Sequence, residues 1–286
     1  MPSAVYEHDS DENSMRTLSL SSSWYARPRL GLRLDLYRRD AEQAALRRTS
    51  QGVMLTASRQ FVPGWTLSTG LGGSFPEGDG NDPLAALRLS LASPGRYHWG
   101  GTLAYRRQAL DATAVLIENG VQIGEWSAVG RGVLGSAWHV RGGLSLAAFT
   151  GQHSNRRWAL NGLVKRRVAR SWSLGFGYRV FGFRKDLSDG YFDPDLYAIV
   201  EVPCEWRREH GSWSLQLEAV PGVQKVTRAG TPTGAVRASA RLSYVFGPGR
   251  EISLSGAFSS TGLHSFSTGD ADYRYTAVVL AAGWAY

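Results

Sequence analysis

Side chains on an extended strand point alternately to opposite faces. Apolar residues at every second position therefore define a sheet with one apolar face. In this chain that period of two recurs almost end to end. Leu18, Leu20 and Trp24 alternate with Thr17, Ser19, Ser21 and Ser23; Leu30, Leu32, Leu34 and Leu36 alternate with Arg29, Gly31, Arg33 and Asp35. Trp65, Leu67, Thr69 and Leu71 oppose Thr66, Ser68, Gly70 and Gly72; Trp138, Val140, Leu144 and Leu146 oppose His139, Arg141, Gly143 and Ser145. Further on, Trp172 to Val180, Ala198 to Trp206, Val236 to Phe246 and Thr276 to Tyr286 repeat the pattern. No stretch carries a sustained helical period. The nearest is residues 111–118 (DATAVLIE), which fits one or two helical turns in a loop. The apolar runs fall well short of the ~18–20 residues of a membrane helix. The fold class is all-β, with about sixteen strands at roughly 18 residues per strand and connection, a spacing found in membrane barrels.

The connections are expected to alternate in length. Short turns rich in Pro and Gly fall at 26–29, 62–64, 93–96, 135–137, 169–171, 210–212 and 247–249. Longer polar loops are expected at 8–14, 39–49, 76–83, 108–124, 151–156, 185–195, 226–234 and 260–272. Short-long alternation predicts a transmembrane antiparallel up-and-down barrel with short periplasmic turns and longer extracellular loops, and not a Greek-key sandwich. The aromatics agree. Trp65, Trp99, Trp138, Trp172 and Trp213 begin strands just after short turns, and Trp24, Trp206, Phe246 and Trp284 lie at strand ends running to that same side. A ring of indoles at one height suits a lipid headgroup boundary. Tyr286, the last residue of the sequence, adds a terminal aromatic of the kind that marks bacterial outer-membrane barrels for assembly.

If the apolar face meets lipid, the polar face lines a lumen, and about sixteen strands enclose a water-filled one. The inward basic residues are then Arg29, Arg33, Arg88, Arg106, Arg131, Arg141, Lys165, Arg179, Arg237 and Arg241. The inward acids are Asp35, Glu201, Glu205, Glu218 and Glu251. Arg131 lies in a stretch, 124–134, whose alternation is poor. Such a wall disfavours a cationic polymer and suits a neutral or anionic one, unless Arg and Glu simply pair across it and stiffen it. Loop 108–124, with Asp111, Leu116 and Asn119, is too apolar to stand in water and is expected to fold over or into the mouth as a gate. Loop 185–195 and its edge carry Tyr191, Phe192 and Tyr197, which would either stack on sugar rings or pack on the rim.

Other chemistries find little support. The single cysteine, Cys204, excludes a disulfide framework and any multi-cysteine metal site. The six histidines (8, 98, 139, 153, 210 and 264) show no metal-ligand spacing. The glycines at 70–73 and 175–177 sit mid-strand, with no helix to cradle phosphate. The net charge of +8 suggests nucleic acid at first, but the arginines are spread around a wall, without one patch of interleaved aromatics. No cofactor, no metal and no enzymatic activity are expected. Residues 1–15 are polar and acidic, unlike a signal peptide.

Three segments resemble a known family. Residues 185–213 (KDLSDGYFDPDLYAIVEVPCEWRREHGSW) carry Asp186, Leu187, Gly190, Tyr191, Phe192, Pro194, Tyr197, Val202, Pro203, Trp206, Arg207 and Trp213 at the spacing of a motif in the C-terminal barrels of exopolysaccharide export proteins. The BcsC type, encoded with cellulose synthase, is the nearest. Residues 111–124, with Asn119, Gly120 and Val121, and the acidic start at 6–11 are similar to further segments of that family. The poly-N-acetylglucosamine (PgaA type) and Pel (PelB type) porins share much of the pattern. The resemblance implies one outer-membrane barrel spanning 1–286 that exports a polysaccharide, cellulose or a related exopolysaccharide, for the biofilm matrix. It implies as partners the polysaccharide chain, outer-membrane lipid, a periplasmic tetratricopeptide scaffold preceding the barrel and an inner-membrane synthase complex, with the barrel itself monomeric. A general diffusion porin and an outer-membrane enzyme with a rim or lumen site are the alternatives.

Overall fold

The structure, a computed structural model, describes all residues except 28, 63, 78–81, 94–98, 136, 188, 262–272 and 285–286. Tyr286, His98, His264, most of the 93–96 turn and nearly all of the 260–272 loop lie outside the described residues.

The strands are β1 (Pro2–Asp9), β2 (Asn13–Arg27), β3 (Leu30–Gln43), β4 (Leu46–Val62), β5 (Trp65–Pro76), β6 (Leu84–Ala92), β7 (Trp99–Ala109), β8 (Gln122–Leu134) and β9 (Trp138–Thr150). They continue with β10 (Asn155–Arg167), β11 (Trp172–Phe183), β12 (Tyr197–Glu201), β13 (Cys204–His210), β14 (Trp213–Lys225), β15 (Thr233–Gly247), β16 (Arg250–Ser259) and β17 (Tyr275–Trp284). One short helix, α1 (Ala114–Glu118), lies between β7 and β8. Apart from β12 and β13, each strand pairs antiparallel with its chain neighbour, and β1 pairs with both β2 and β17, so the sheet closes. β12 and β13 are one strand. Both pair with β11 and β14 in an unbroken register, and the ladder skips only Val202 and Pro203, where proline has no N–H to give. The barrel therefore has sixteen strands, as the spacing predicts.

The outer face is apolar and bare. Leu18, Leu71, Leu144, Leu146 and Phe176 are 53–68% exposed although they sit mid-strand. In a soluble sheet such residues would form the core; here they face lipid. Eight of the ten tryptophans (24, 65, 99, 138, 172, 206, 213 and 284) gather at the strand ends joined by the short turns. Trp126 and Trp158 sit toward the other ends, both level with Leu146. Because the two faces of one strand meet different solvents, adjacent residues respond oppositely to charge. Leu144→Arg is expected to destabilise the barrel by about 2–4 kcal/mol, and Ser145→Arg by little, in urea unfolding from lipid vesicles.

Two expected long loops are not loops. β3 and β4 run on to a two-residue turn, Ala44–Ala45, with Ala44 at φ +51°, and β1 and β2 are joined by Ser10–Glu12 alone. The physical reason is local. Above the membrane both strand faces meet water, so Arg38, Asp40, Glu42 and Arg47 stand outward where leucine would stand lower down. The hydrophobic period vanishes there while the hydrogen-bond ladder continues. The expected longer loop at 151–156 is also short, since β10 begins at Asn155 and leaves only 151–154, no longer than the 168–171 turn; short-long alternation holds from β10 onward.

Candidate functional site

The connection from β7 to β8 turns into the barrel. α1 starts at Thr113, whose hydroxyl accepts from the Leu116 N–H at 3.2 Å, and its Ala114, Leu116 and Ile117 are fully buried. Ala114 and Ile117 pack on inward-facing Ala41 of β3 and on Leu46 of β4. The loop thus leaves one wall and rests on another, three and four strands away. Asp111 anchors it. Its carboxylate accepts from the Tyr37 hydroxyl at 2.9 Å and the Ser50 hydroxyl at 3.1 Å, and it pairs with Arg39. Tyr37 reaches Asp111 by lying over Gly52, where any Cβ would collide with its ring. At the helix end Glu118 pairs with Arg48, which holds the Glu118 carboxyl below its ordinary pKa.

The loop between β11 and β12 completes the plug. Tyr191 is 5% exposed, stacks on Phe149 at 4.8 Å and lies 5.7 Å from Phe183. Tyr197 is fully buried, stacks on Phe181 and donates to Gln224 at 2.9 Å. Phe192 meets Phe181 and Tyr197 edge-on. These aromatics pack on the rim and inner wall, the second of the two expected arrangements; their faces are not open to a sugar. The two loops touch. Asn119 donates to the Asp189 carbonyl at 3.1 Å, and Gly190 (φ +92°) lies where a Cβ would stand 2.6 Å from Val115. Leu116, Val121, Ile123, Phe149, Phe181, Phe183, Tyr191, Tyr197 and Ile199 form one buried apolar cluster. The expectation of a wholly water-filled lumen without a buried core is corrected: the extracellular half of the lumen carries a core of its own.

A polar clamp holds the second loop. Asn155 donates to the Lys185 carbonyl at 2.8 Å and to Asp193 at 3.1 Å, and accepts from the Lys185 N–H. Asp193 also accepts from the Leu187 N–H at 2.9 Å. Burial, with Asp186 and Asp189 nearby, pushes the Asp193 carboxyl up to about 7. Burial likewise pushes the Tyr191 phenol up to about 12. His153 shares a 2.8 Å hydrogen bond with Asp189, itself 2% exposed.

Below the plug the register places the wall charges. Arg33 pairs with Asp35 at 2.8 Å on β3. Glu125 binds Arg106 at 2.6 Å and Arg157 at 2.8 Å. Lys165 binds Glu205 at 2.5 Å and Glu218 at 3.4 Å. Glu201 takes Arg237 at 2.8 Å and Arg179 at 3.7 Å, and Glu251 takes Arg241 at 3.3 Å. Arg29 lies in the turn before β3. Arg88, Arg131 and Arg141 face inward with no acidic partner among the described residues. Sequence reasoning did not single out Arg39, Arg48, Glu125, Arg157, Asn155, Asp189 or Asp193. Arg39 and Arg48 were hidden in a supposed loop. Glu125 sits where glycines 124, 130 and 132 on the outer face erase the alternation. Among the described residues no group of three or more His, Cys, Asp or Glu is placed to hold a metal.

Comparison with solved structures returns outer-membrane barrels. A structure titled "Bacterial polysaccharide outer membrane secretin" superposes with a TM-score of 0.74 at 10% identity, covering 100% of this chain and 98% of that one. The Pseudomonas aeruginosa proteins OccK5 (OpdH) and OpdK, the latter with vanillate, superpose at TM-scores of 0.52 and 0.51 with 9% and 11% identity. They cover 100% and 98% of this chain and 97% and 96% of their own. At such identities the likeness concerns the fold. No curated protein sequence matches the chain. The family model described as "Cellulose synthase operon protein C C-terminus" matches residues 136–277, from the turn before β9 to the third residue of β17. The chain is thus a sixteen-stranded β-barrel of the bacterial outer membrane, and its residues 136–277 match the cellulose synthase operon protein C C-terminal family.

Proposed function

We propose that this barrel is the outlet through which a polysaccharide, cellulose or a related exopolysaccharide, leaves the cell for the biofilm matrix. The observation that carries the reading is a polar, ion-paired lumen into whose extracellular half two touching loops fold. Those loops are held by side-chain contacts and not by strand pairing. A sixteen-stranded wall leaves room for a hydrated sugar chain once such a plug moves. The family match over residues 136–277 supports the reading. The polar wall would keep sugar hydroxyls out of hydrocarbon, where unsatisfied polar groups are costly. Polymer motion would come from an inner-membrane synthase, with a tetratricopeptide scaffold in the periplasm guiding the chain to a monomeric barrel. The residues expected in the polymer's path are Arg33, Asp35, Arg88, Arg106, Arg141, Lys165, Arg179, Glu201, Glu205, Glu218, Arg237 and Arg241. The wall supplies charge and hydration along the path.

The likeness to OccK5 and OpdK keeps a diffusion porin as the second reading. Planar-bilayer recording separates the two. The intact barrel is expected to be nearly silent, and a variant lacking residues 110–121 to conduct and to be blocked by long oligosaccharides. An intact barrel that already passes small solutes freely favours the porin. A deletion variant that folds and stays silent overturns the channel altogether.

A further inference from the structure

Arg131 on β8 and Arg141 on β9 are register partners and both face the lumen. Directly opposed cross-strand side chains stand with Cβ atoms about 4.5–5.5 Å apart, and like charges there repel. Most other wall cations are matched: Arg33, Arg106, Arg157, Lys165, Arg179, Arg237 and Arg241 each contact a carboxylate. Arg131 and Arg141 contact none among the described residues, and both are exposed. Lys165, nearby on β10, has its charge taken by Glu205 and Glu218.

The surroundings have the make-up of a ligand site. Arg131 lies opposite Gly100 on its other side, which leaves the wall recessed; Arg141 lies opposite Leu163; Val133 lies opposite His139. These residues line one hollow of about 480 Å³ at the turn side of the lumen, below the plug. Volumes of this order hold small ligands. Val133 and Leu163 offer an apolar floor for the C–H face of a sugar ring. The two guanidinium groups offer paired N–H donors in the planar arrangement that fits carboxylate, phosphate or sulfate oxygens.

We propose that Arg131 and Arg141, with Val133 and Leu163, form a site for an acidic sugar residue of the passing polymer. The site rests on the export reading and narrows its substrate: the chain carries acidic substituents at some of its residues. The acid supplies the counter-charge that the wall withholds from this arginine pair alone among opposed inward side chains of β8 and β9.

The test uses the whole barrel in detergent, where the turn side is accessible. Binding is measured for an oligo-uronate, for its carboxyl-reduced neutral counterpart, for a sulfated oligosaccharide and for inorganic sulfate. The oligo-uronate and the sulfated chain are expected to bind at least tenfold more tightly than the neutral chain at low salt. That advantage falls below threefold in the Arg131→Gln/Arg141→Gln variant and reverses in Arg131→Glu/Arg141→Glu. Sulfate alone is expected to bind weakly, because it cannot use the apolar floor; sulfate as tight as the oligosaccharides overturns a sugar site. Heat-modifiable gel mobility checks that each variant is folded. No acidic preference in the wild type, or a preference intact in the Gln variant, overturns the inference. Bilayer recording on the plug-deleted barrel separates its failure from that of the export reading. Conductance without selective block by the acidic chain sinks the inference and leaves the channel. A silent folded barrel sinks both.

Discussion

Asp111→Ala opens the barrel. In the closed structure one carboxylate accepts from Tyr37 and Ser50 and neutralises Arg39, and all four groups lie inside the wall. Ser50 and Asp111 are 0% and 4% exposed. Removing the carboxylate leaves the half-buried Arg39 without its counter-ion and takes an acceptor from the Tyr37 and Ser50 hydroxyls, of which Ser50 keeps Ser74, a loss of about 1–3 kcal/mol. The plug pays that loss only while closed, since in the open state Arg39 and Tyr37 face water. At about 1.4 kcal/mol per decade, the closed-to-open ratio drops by about one to two orders of magnitude. Single-channel recording should show frequent openings where the wild type shows almost none. Asp111→Asn keeps an acceptor but no charge and should fall between. Glu118→Ala removes an exposed pair with Arg48 and should change the ratio by less than tenfold. If Asp111→Ala and Glu118→Ala have equal effects, Asp111 is not the anchor.

The second large effect is on pH. Asp193 sits 5% exposed in the β11–β12 loop, near Asp186 and Asp189, with a carboxyl pushed up to about 7. Around it stand Tyr191 on the same loop, His153 and Arg156 near the start of β10, and Lys185, whose ammonium is turned to the Ser154 carbonyl. A carboxyl with a raised pKa binds its proton more tightly in the closed state than in the released one. Stability of the closed loop is then fully present below the ordinary carboxyl range near 4. It declines as pH rises from there to about 7 and is lost above it, at most about 1.4 kcal/mol per pH unit. Hydrogen exchange of residues 184–196 should therefore speed up at least tenfold between pH 5 and pH 8, beyond the intrinsic chemical dependence. Asp193→Asn keeps an oxygen for the Leu187 and Asn155 donors and has no proton to lose, so its loop should stay protected at both pH values. The same pH response in the variant would place the titration elsewhere.

Both effects depend on residues the sequence showed unevenly. Asp111 stood out because a loop holding Ala112, Ala114, Val115, Leu116 and Ile117 does not rest in water. Asp193 did not stand out, because nothing local distinguishes it from Asp186 or Asp195. Only the fold brings Asn155, from 38 residues away, against it and removes its water. Tyr191 and Tyr197 were visible as aromatics at the rim, but their burial against Phe149 and Phe181 depends on contacts between strands.

By itself, the sequence determined the sheet, its strand number and the face of most residues in the membrane-spanning parts of the strands, because a period of two is a local property. A residue's face follows from its parity within one strand. It also determined the belt height, since a tryptophan next to a turn is at the barrel's edge whatever its neighbours do. Only the tertiary structure decided which charges meet and what closes the lumen. Glu125 finds Arg157 at a separation of 32 residues, and α1 rests on β3 and β4, some 70 residues earlier in the chain. Such partners are set by register and barrel closure, which no local pattern encodes. For the same reason Arg131 and Arg141 were two ordinary inward arginines until the register placed them side by side without an acid.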